Sequence, residues 1–159
     1  MTKLVIVLTL TFFFSCQNNQ KGSLTSERLN AIRQTITNKL DTVFLDSVDI
    51  DLDKSLRPLW NSPDFVYLAN GESYTYDQLR QIEIENLSSF KKQKFDFPSK
   101  EMDIINDTIA IVSLQGKMVT TLKNDSVETL PVAETIIFKR IDNDWKAVRV
   151  HESFAFKSK

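Results

Sequence analysis

Cysteine and histidine each occur once in this 159-residue chain, as Cys16 and His151. A lone cysteine excludes an intrachain disulfide, and with one histidine it cannot complete a Cys/His metal cluster. No calcium-loop spacing of carboxylates is present either, so neither a metal nor another cofactor is expected. Glycine and proline number only 3 and 4, which excludes a fibrous or low-complexity chain. The formal net charge of −1 provides no basic field to hold a phosphate backbone, so no nucleic-acid partner is expected. No apolar run reaches the roughly 20 residues that a bilayer-spanning helix needs. What remains is a 42% hydrophobic chain, enough for the core of one domain.

The first residues, "MTKLVIVLTLTFFFSC", place Lys3 before an apolar run from Leu4 to Phe14, then Ser15 and Cys16. The run has the length of a secretory h-region. The segment resembles a bacterial lipoprotein signal, in which a small residue precedes a cysteine that becomes lipidated and N-terminal. Phe13 and Phe14 are bulkier than the usual residues there; a plain secretory signal or a short buried helix is the alternative. The resemblance implies a signal peptide over 1–15 and lipidation at Cys16. Acyl chains stabilise membrane attachment by about 0.8 kcal/mol per buried methylene, so two or three chains anchor firmly. Residues 16–23 then form a flexible tether of roughly 15 Å. No acidic run follows the cysteine, which favours an outer-membrane anchor facing the periplasm.

Residues 24–159 read as one domain. Leu29, Ile32, Ile36, Leu40, Val43 and Phe44 recur at three- and four-residue steps, one apolar stripe on a helix of about five turns. Leu52, Leu56, Leu59 and Trp60 suggest a second, shorter helix limited by Pro58. Phe65 to Leu68 is a short strand, and Asn70-Gly71 is a two-residue hairpin signal. "YDQLRQIEIENLSSF" returns to helix, with Leu79, Ile82, Asn86, Leu87 and Phe90 facing in. Four strands follow, at about 93–103, 108–121, 126–140 and 145–155, separated by "IND", "KND" and "DND" turns. The second of these strands alternates apolar residues on both faces. Helices therefore cover one face, and either a partner chain covers the other or that other face lines a pocket. Asn86, Asn106 and Asn124 head glycosylation-type triplets, read as chance in a bacterium.

Helices, a hairpin, a third helix and a long antiparallel sheet make an α+β order. "LRPLWNSPDFVYLANGESYTYDQLR" and "ETIIFKRIDNDWKAVRVHESF" resemble segments of the nuclear-transport-factor-2-like, or SnoaL-like, superfamily. That resemblance covers about Leu24 to Phe156, nearly the whole expected mature chain. It implies a cone: a curved antiparallel sheet packed against N-terminal helices. The superfamily holds isomerases, cyclases, hydrolases and dehydratases beside members that only bind or associate, so the fold does not decide the function. The ketosteroid isomerase pattern of Asp base with Tyr and protonated Asp is not matched: the first helix has no Tyr, and Asn70-Gly71 stands where a carboxylate is wanted.

In the last hairpin, placing the apolar residues on one face pairs Ile136 with Val150 and Phe138 with Val148. The same register opposes Glu134 and Glu152, a like-charge pair whose pKa rises if buried, and hence a general acid/base candidate. The alternative is that both reach solvent at a strand end, or that one pairs with a lysine. Thr135, Ile137, Ala147, Arg149, His151 and Ser153 fall on the opposite face. For His151 a structural or interface role is favoured over ligand binding. Trp60, Tyr67, Tyr74 and Tyr76 cluster where such cones open, suited either to a small apolar ligand or to capping the core. The "FKKQKFDF" run is a solvated sheet edge whose lysines discourage edge pairing. The candidate ligand-binding set is Trp60, Tyr67, Tyr74, Glu134, Glu152 and His151. The expected role is binding of a small apolar ligand or a protein partner in the cell envelope, without catalysis. One alternative is a cyclase-, isomerase- or hydrolase-like enzyme using Glu134 or Glu152, with Tyr67 assisting. The other is a homodimeric scaffold.

Overall fold

A computed structural model describes residues 24–44 and 52–155. The expected signal peptide, lipidated Cys16 and tether lie outside these residues, as do the last residues, 156–159, of the expected domain. Three helices and six strands follow in order: α1 (Ser26–Phe44), α2 (Leu52–Leu56), β1 (Val66–Ala69), β2 (Glu72–Tyr74), α3 (Tyr76–Ser89), β3 (Phe90–Ile104), β4 (Ile109–Leu122), β5 (Val127–Ile141) and β6 (Asp144–Phe154). All six strands form one curved sheet in the order β2-β1-β6-β5-β4-β3. The arrangement is the expected α+β cone, with one departure: β1 pairs with β6 in parallel, so the sheet is mixed.

The apolar stripe of α1 does what its spacing requires. Ile32, Ile36 and Leu40 are buried, one above another at successive turns. Ahead of the helix, the Thr25 hydroxyl accepts from the Arg28 backbone N–H at 3.2 Å, satisfying one of the orphan donors of the first turn. Helix α2 ends at Leu56, two residues before Pro58, and so carries neither Leu59 nor Trp60. Those two instead run alongside β6: Leu59 bridges Ala147 in parallel, and the Trp60 N–H donates to the Ala147 carbonyl at 2.9 Å.

Tight turns set the register of the sheet. Asn70 and Gly71 both have positive φ, 49° and 94°, the geometry of a two-residue hairpin turn that matches strand twist. The same holds for Asp142 (49°) and Asn143 (64°) between β5 and β6. In the other two turns the asparagines of the glycosylation-type triplets fold back on the chain. Asn106 Oδ1 accepts from the Thr108 N–H at 2.9 Å, and Asn124 Oδ1 from the Ser126 N–H at 3.0 Å. Side chains of this kind shape turns by standing in for a backbone acceptor.

Strand β4 buries Ala110, Val112 and Leu114 under the helices, while Ile109 and Ile111 on the other face are only partly covered and Ser113, Gln115 and Lys117 are exposed. The apolarity of its outer face is therefore short, and the pocket lies on the inner face. Opposite β4, strand β3 bulges between Asp96 and Ser99. There a Cβ on Gly116 would stand 1.9 Å from the Asp96 carbonyl oxygen. Gly116→Ala must push two paired backbones apart, and we expect it to cost about 1–3 kcal/mol, as overpacking does. Denaturant unfolding measures it; an unchanged midpoint would show that the bulge yields freely.

Candidate functional site

The ladder between β5 and β6 pairs Glu134 with Glu152, Thr135 with His151, Ile136 with Val150 and Ile137 with Arg149, as the apolar alternation requires. Beyond Ile137 the register shifts: Phe138 faces Ala147 rather than Val148. The expected Phe138–Val148 pair is thus corrected, and so is the placing of Ala147 on the outer face, because it is 2% exposed. The cause is the chain at 58–60. The Ala147 N–H donates to the Pro58 carbonyl at 2.8 Å, and Val148 is the extra residue that the bend requires.

On the inner face of the sheet a cavity of about 350 Å³ opens beneath the helices. Its walls are mostly apolar: Leu40 and Val43 of α1, Leu56 and Leu59, Leu79 and Ile82 of α3, Phe90 and Phe95 of β3, Met118 of β4, and Ile136, Phe138 and Val150. Its polar groups are Glu83, Glu134, Glu152, Tyr67 and Tyr74, with Ser55, Asn86 and Gln93. That is the composition of a small-molecule site, an apolar wall with a few convergent polar groups.

Glu134 and Glu152 are 7% and 8% exposed, so neither reaches solvent at a strand end. Burial, followed by the charge of Glu152 and a hydrogen bond with it, holds the Glu134 carboxyl well above the usual carboxylate range. Burial also raises Glu152, but hydrogen bonds from Tyr67 and Glu134 work against that. The two facing carboxyls therefore titrate together, both above the usual carboxylate range and both chiefly because of burial. The Tyr67 hydroxyl donates to Glu152 Oε2; burial and the Glu152 charge keep it protonated. Tyr67 reaches this carboxyl because parallel pairing sets it beside Val150, two residues before Glu152. Asn70 fixes the end of the same ladder: its Oδ1 accepts from the Phe154 N–H at 3.1 Å.

Glu83 enters from the helix. Thr75 caps α3 in a reciprocal capping box with Gln78. From there Leu79, Ile82, Glu83 and Asn86 share the face that lines the cavity. Burial, then the charge of Glu152, pushes the Glu83 carboxyl up to about 7. The sequence reading missed this residue. Its signal was available: Glu83 falls at the i+4 position from Leu79 and beside Ile82 on the inward face, where a solvated glutamate has no reason to be.

Of the six candidate ligand-binding residues, Tyr67, Tyr74, Glu134 and Glu152 line the cavity. Tyr74 stacks obliquely on Tyr67 with ring centroids 6.0 Å apart, and its hydroxyl donates to Glu72 at 2.8 Å. Two do not belong to the lining. Trp60 is half-buried against the core, drawn aside by its bond to Ala147. His151 is exposed on the outer face between Thr135 and Leu68, because odd-numbered residues of this stretch of β6 point away from the cone. Among the described residues no group of three or more His, Cys, Asp or Glu side chains is placed to hold a metal ion, and no helix is long and apolar enough to cross a membrane.

The family model of the SnoaL-like domain matches residues 47–157. No curated protein matches the chain by sequence. Among solved structures, a nuclear transport factor 2 (NTF2-like) superfamily protein from Salmonella enterica superposes with a TM-score of 0.71 at 14% identity, covering 82% of this chain and 96% of that one. An NTF-2-like protein from Shewanella oneidensis MR-1 gives 0.62 at 20% identity, covering 77% and 98%. A hexachlorocyclohexane dehydrochlorinase from Novosphingobium barchaimii LL02 gives 0.70 at 10% identity, covering 83% and 92%. At these identities the likeness is one of fold.

Proposed function

The chain belongs to the SnoaL-like family, and from that premise we propose that its cone binds a small, largely apolar molecule, polar end first, against Tyr67, Glu83, Glu134 and Glu152. One observation carries this reading: an open cavity of about 350 Å³ whose walls are apolar and whose polar groups converge. A domain serving only as a scaffold would gain stability by filling that space with side chains. We further propose that the domain is held at a membrane through lipid on Cys16, facing the periplasm, which the N-terminal sequence supports. Self-association through the outer sheet face is a weaker proposal, since the apolar stretch there is short.

Native mass spectrometry of protein purified gently from its host should retain a small molecule. The apo protein should take up the neutral apolar probe N-phenyl-1-naphthylamine, and Ala69→Phe, which puts a ring into the cavity wall, should weaken that uptake about tenfold or more. Uptake that ignores Ala69→Phe, or no uptake at all, would refute the cavity as the site.

A second reading is favoured by the acid pair. A protonated Glu134 and a Glu83 poised near neutrality in one cavity are matched to donate and accept protons at the same substrate. On that reading the domain is an acid/base enzyme acting on a hydrophobic substrate. A retained molecule whose mass changes on incubation, with the change lost in Glu152→Gln, would establish it; an inert molecule would leave binding as the whole activity.

A further inference from the structure

The cavity is one-sided in its charge. Glu83 comes from α3, Glu134 from β5 and Glu152 from β6, joined by the hydroxyl of Tyr67 from β1 and the ring of Tyr74 from β2. Among the described residues, no lysine, arginine or histidine lines it. The ion pairs of the described residues are elsewhere: Lys39 and Lys146 meet Asp144, Lys91 meets Asp125, Lys100 meets Asp41 and Lys117 meets Asp96. Three carboxyls therefore converge in an apolar enclosure with no counterion among the described residues, which a folded protein sustains only at a cost in stability.

We propose that the molecule held in this cavity carries its polar end as a protonated amine, so that the cone takes apolar amines and turns away apolar acids. The inference rests on the cavity being a binding site; the carboxyls decide only which polar end it accepts. An ammonium beside Glu83 and Glu152 replaces the missing counterion, and it hydrogen-bonds acceptors that are already aimed inward. A ligand carboxylate would face three acidic groups and a tyrosine whose proton is committed to Glu152, with no cation to receive it. A neutral alcohol fits the walls but leaves the charge of the pair unanswered. Burial has raised the carboxyls towards their neutral forms; a bound cation reverses that shift, so amine uptake should release protons.

The test is calorimetric titration of the full chain at neutral pH with three probes on one apolar body: 4-phenylbutylamine, 4-phenylbutanol and 4-phenylbutyrate. The amine should bind about tenfold or more tightly than the alcohol, and the acid more weakly than either. In buffers of different ionisation heat, the amine alone should show proton release. Glu83→Gln and Glu152→Gln, each checked for folding by circular dichroism, should shrink the amine-to-alcohol ratio. Equal binding of amine and alcohol, or tighter binding of the acid, overturns the amine inference and leaves the cavity reading standing. Failure of all three probes overturns both, and a ratio unmoved by either folded variant refutes the role given to the carboxyls.

Discussion

Unfolding by urea should require more denaturant at pH 5 than at pH 8, the reverse of the usual acid lability of proteins. The sign follows from the direction of the shifts. An acid whose folded pKa is raised holds its proton more tightly in the native state than in the unfolded chain. Its contribution to stability is complete below the unfolded pKa, about 4.3 for glutamate, and is lost as pH rises through the folded one. For Glu83, pushed up to about 7 by burial and then by the Glu152 charge, the loss falls between pH 5 and 8. It amounts to about 2–3 kcal/mol. Glu134 and Glu152 are shifted in the same direction and add to the slope. Asp144 acts oppositely: burial would raise it, but Lys39 and Lys146 bring it below its ordinary value. Its contribution is lost only as the solution falls below about pH 4, outside the window compared. Glu83→Gln keeps the shape and removes the titration, so it should flatten the profile and raise stability at pH 8. A native state firmer at pH 8 than at pH 5 would contradict the buried acid cluster.

Phe65→Ala should be the most damaging single truncation, costing about 3–5 kcal/mol of a total that for such domains is about 5–15. Phe65 is 1% exposed and meets the ring of Tyr76 edge-on, centroids 6.0 Å apart at 82°. Tyr76 is the first residue of α3 and Phe65 the residue before β1, so this contact joins the helix that carries Glu83 to the strand that carries Tyr67. Truncation removes both the buried area and the brace between them. A fall in melting temperature of about 10 °C is expected. Val127→Ala, at a side chain 62% exposed, should stay within about 0.5 kcal/mol. Equal effects at the two positions would mean that Phe65 is not part of the core.

The acid pair was legible in the sequence because strand periodicity is two. Once Ile136 and Val150 are taken as inward, Glu134 and Glu152 must lie on the same face and opposite each other. The first helix was legible for a similar reason: a stripe as regular as Ile32, Ile36 and Leu40 has one sensible orientation. The inward place of Glu83 was legible from its spacing after Leu79, but part of its shift was not, because Glu152, whose charge adds to the effect of burial, is 69 positions further along the chain. The bulge at Val148 was hidden too, since it answers to the Pro58–Trp60 segment crossing β6 and not to anything within the hairpin. His151 looked conspicuous as the only histidine, yet its odd position on β6 placed it outside the cone, and rarity of a residue type carries no geometric information. The parallel β1–β6 pairing left no trace either, because a four-residue strand reads the same in both directions.

That pairing has a consequence for the order in which the protein acquires its shape. The Tyr67 hydroxyl and the Glu152 carboxylate are 85 positions apart, whereas the β3–β4, β4–β5 and β5–β6 hairpins each close through a short turn. Closing a long loop is entropically slower than zipping neighbours. The four-strand meander can therefore form while β1 is still waiting for β6. Glu134 and Glu152 meet on that meander with their carboxyls still in water, where both ionise at the cost of only a screened repulsion. Only the arrival of β1 and α3 dries them, so the chain takes up its proton in the final step of folding rather than the first.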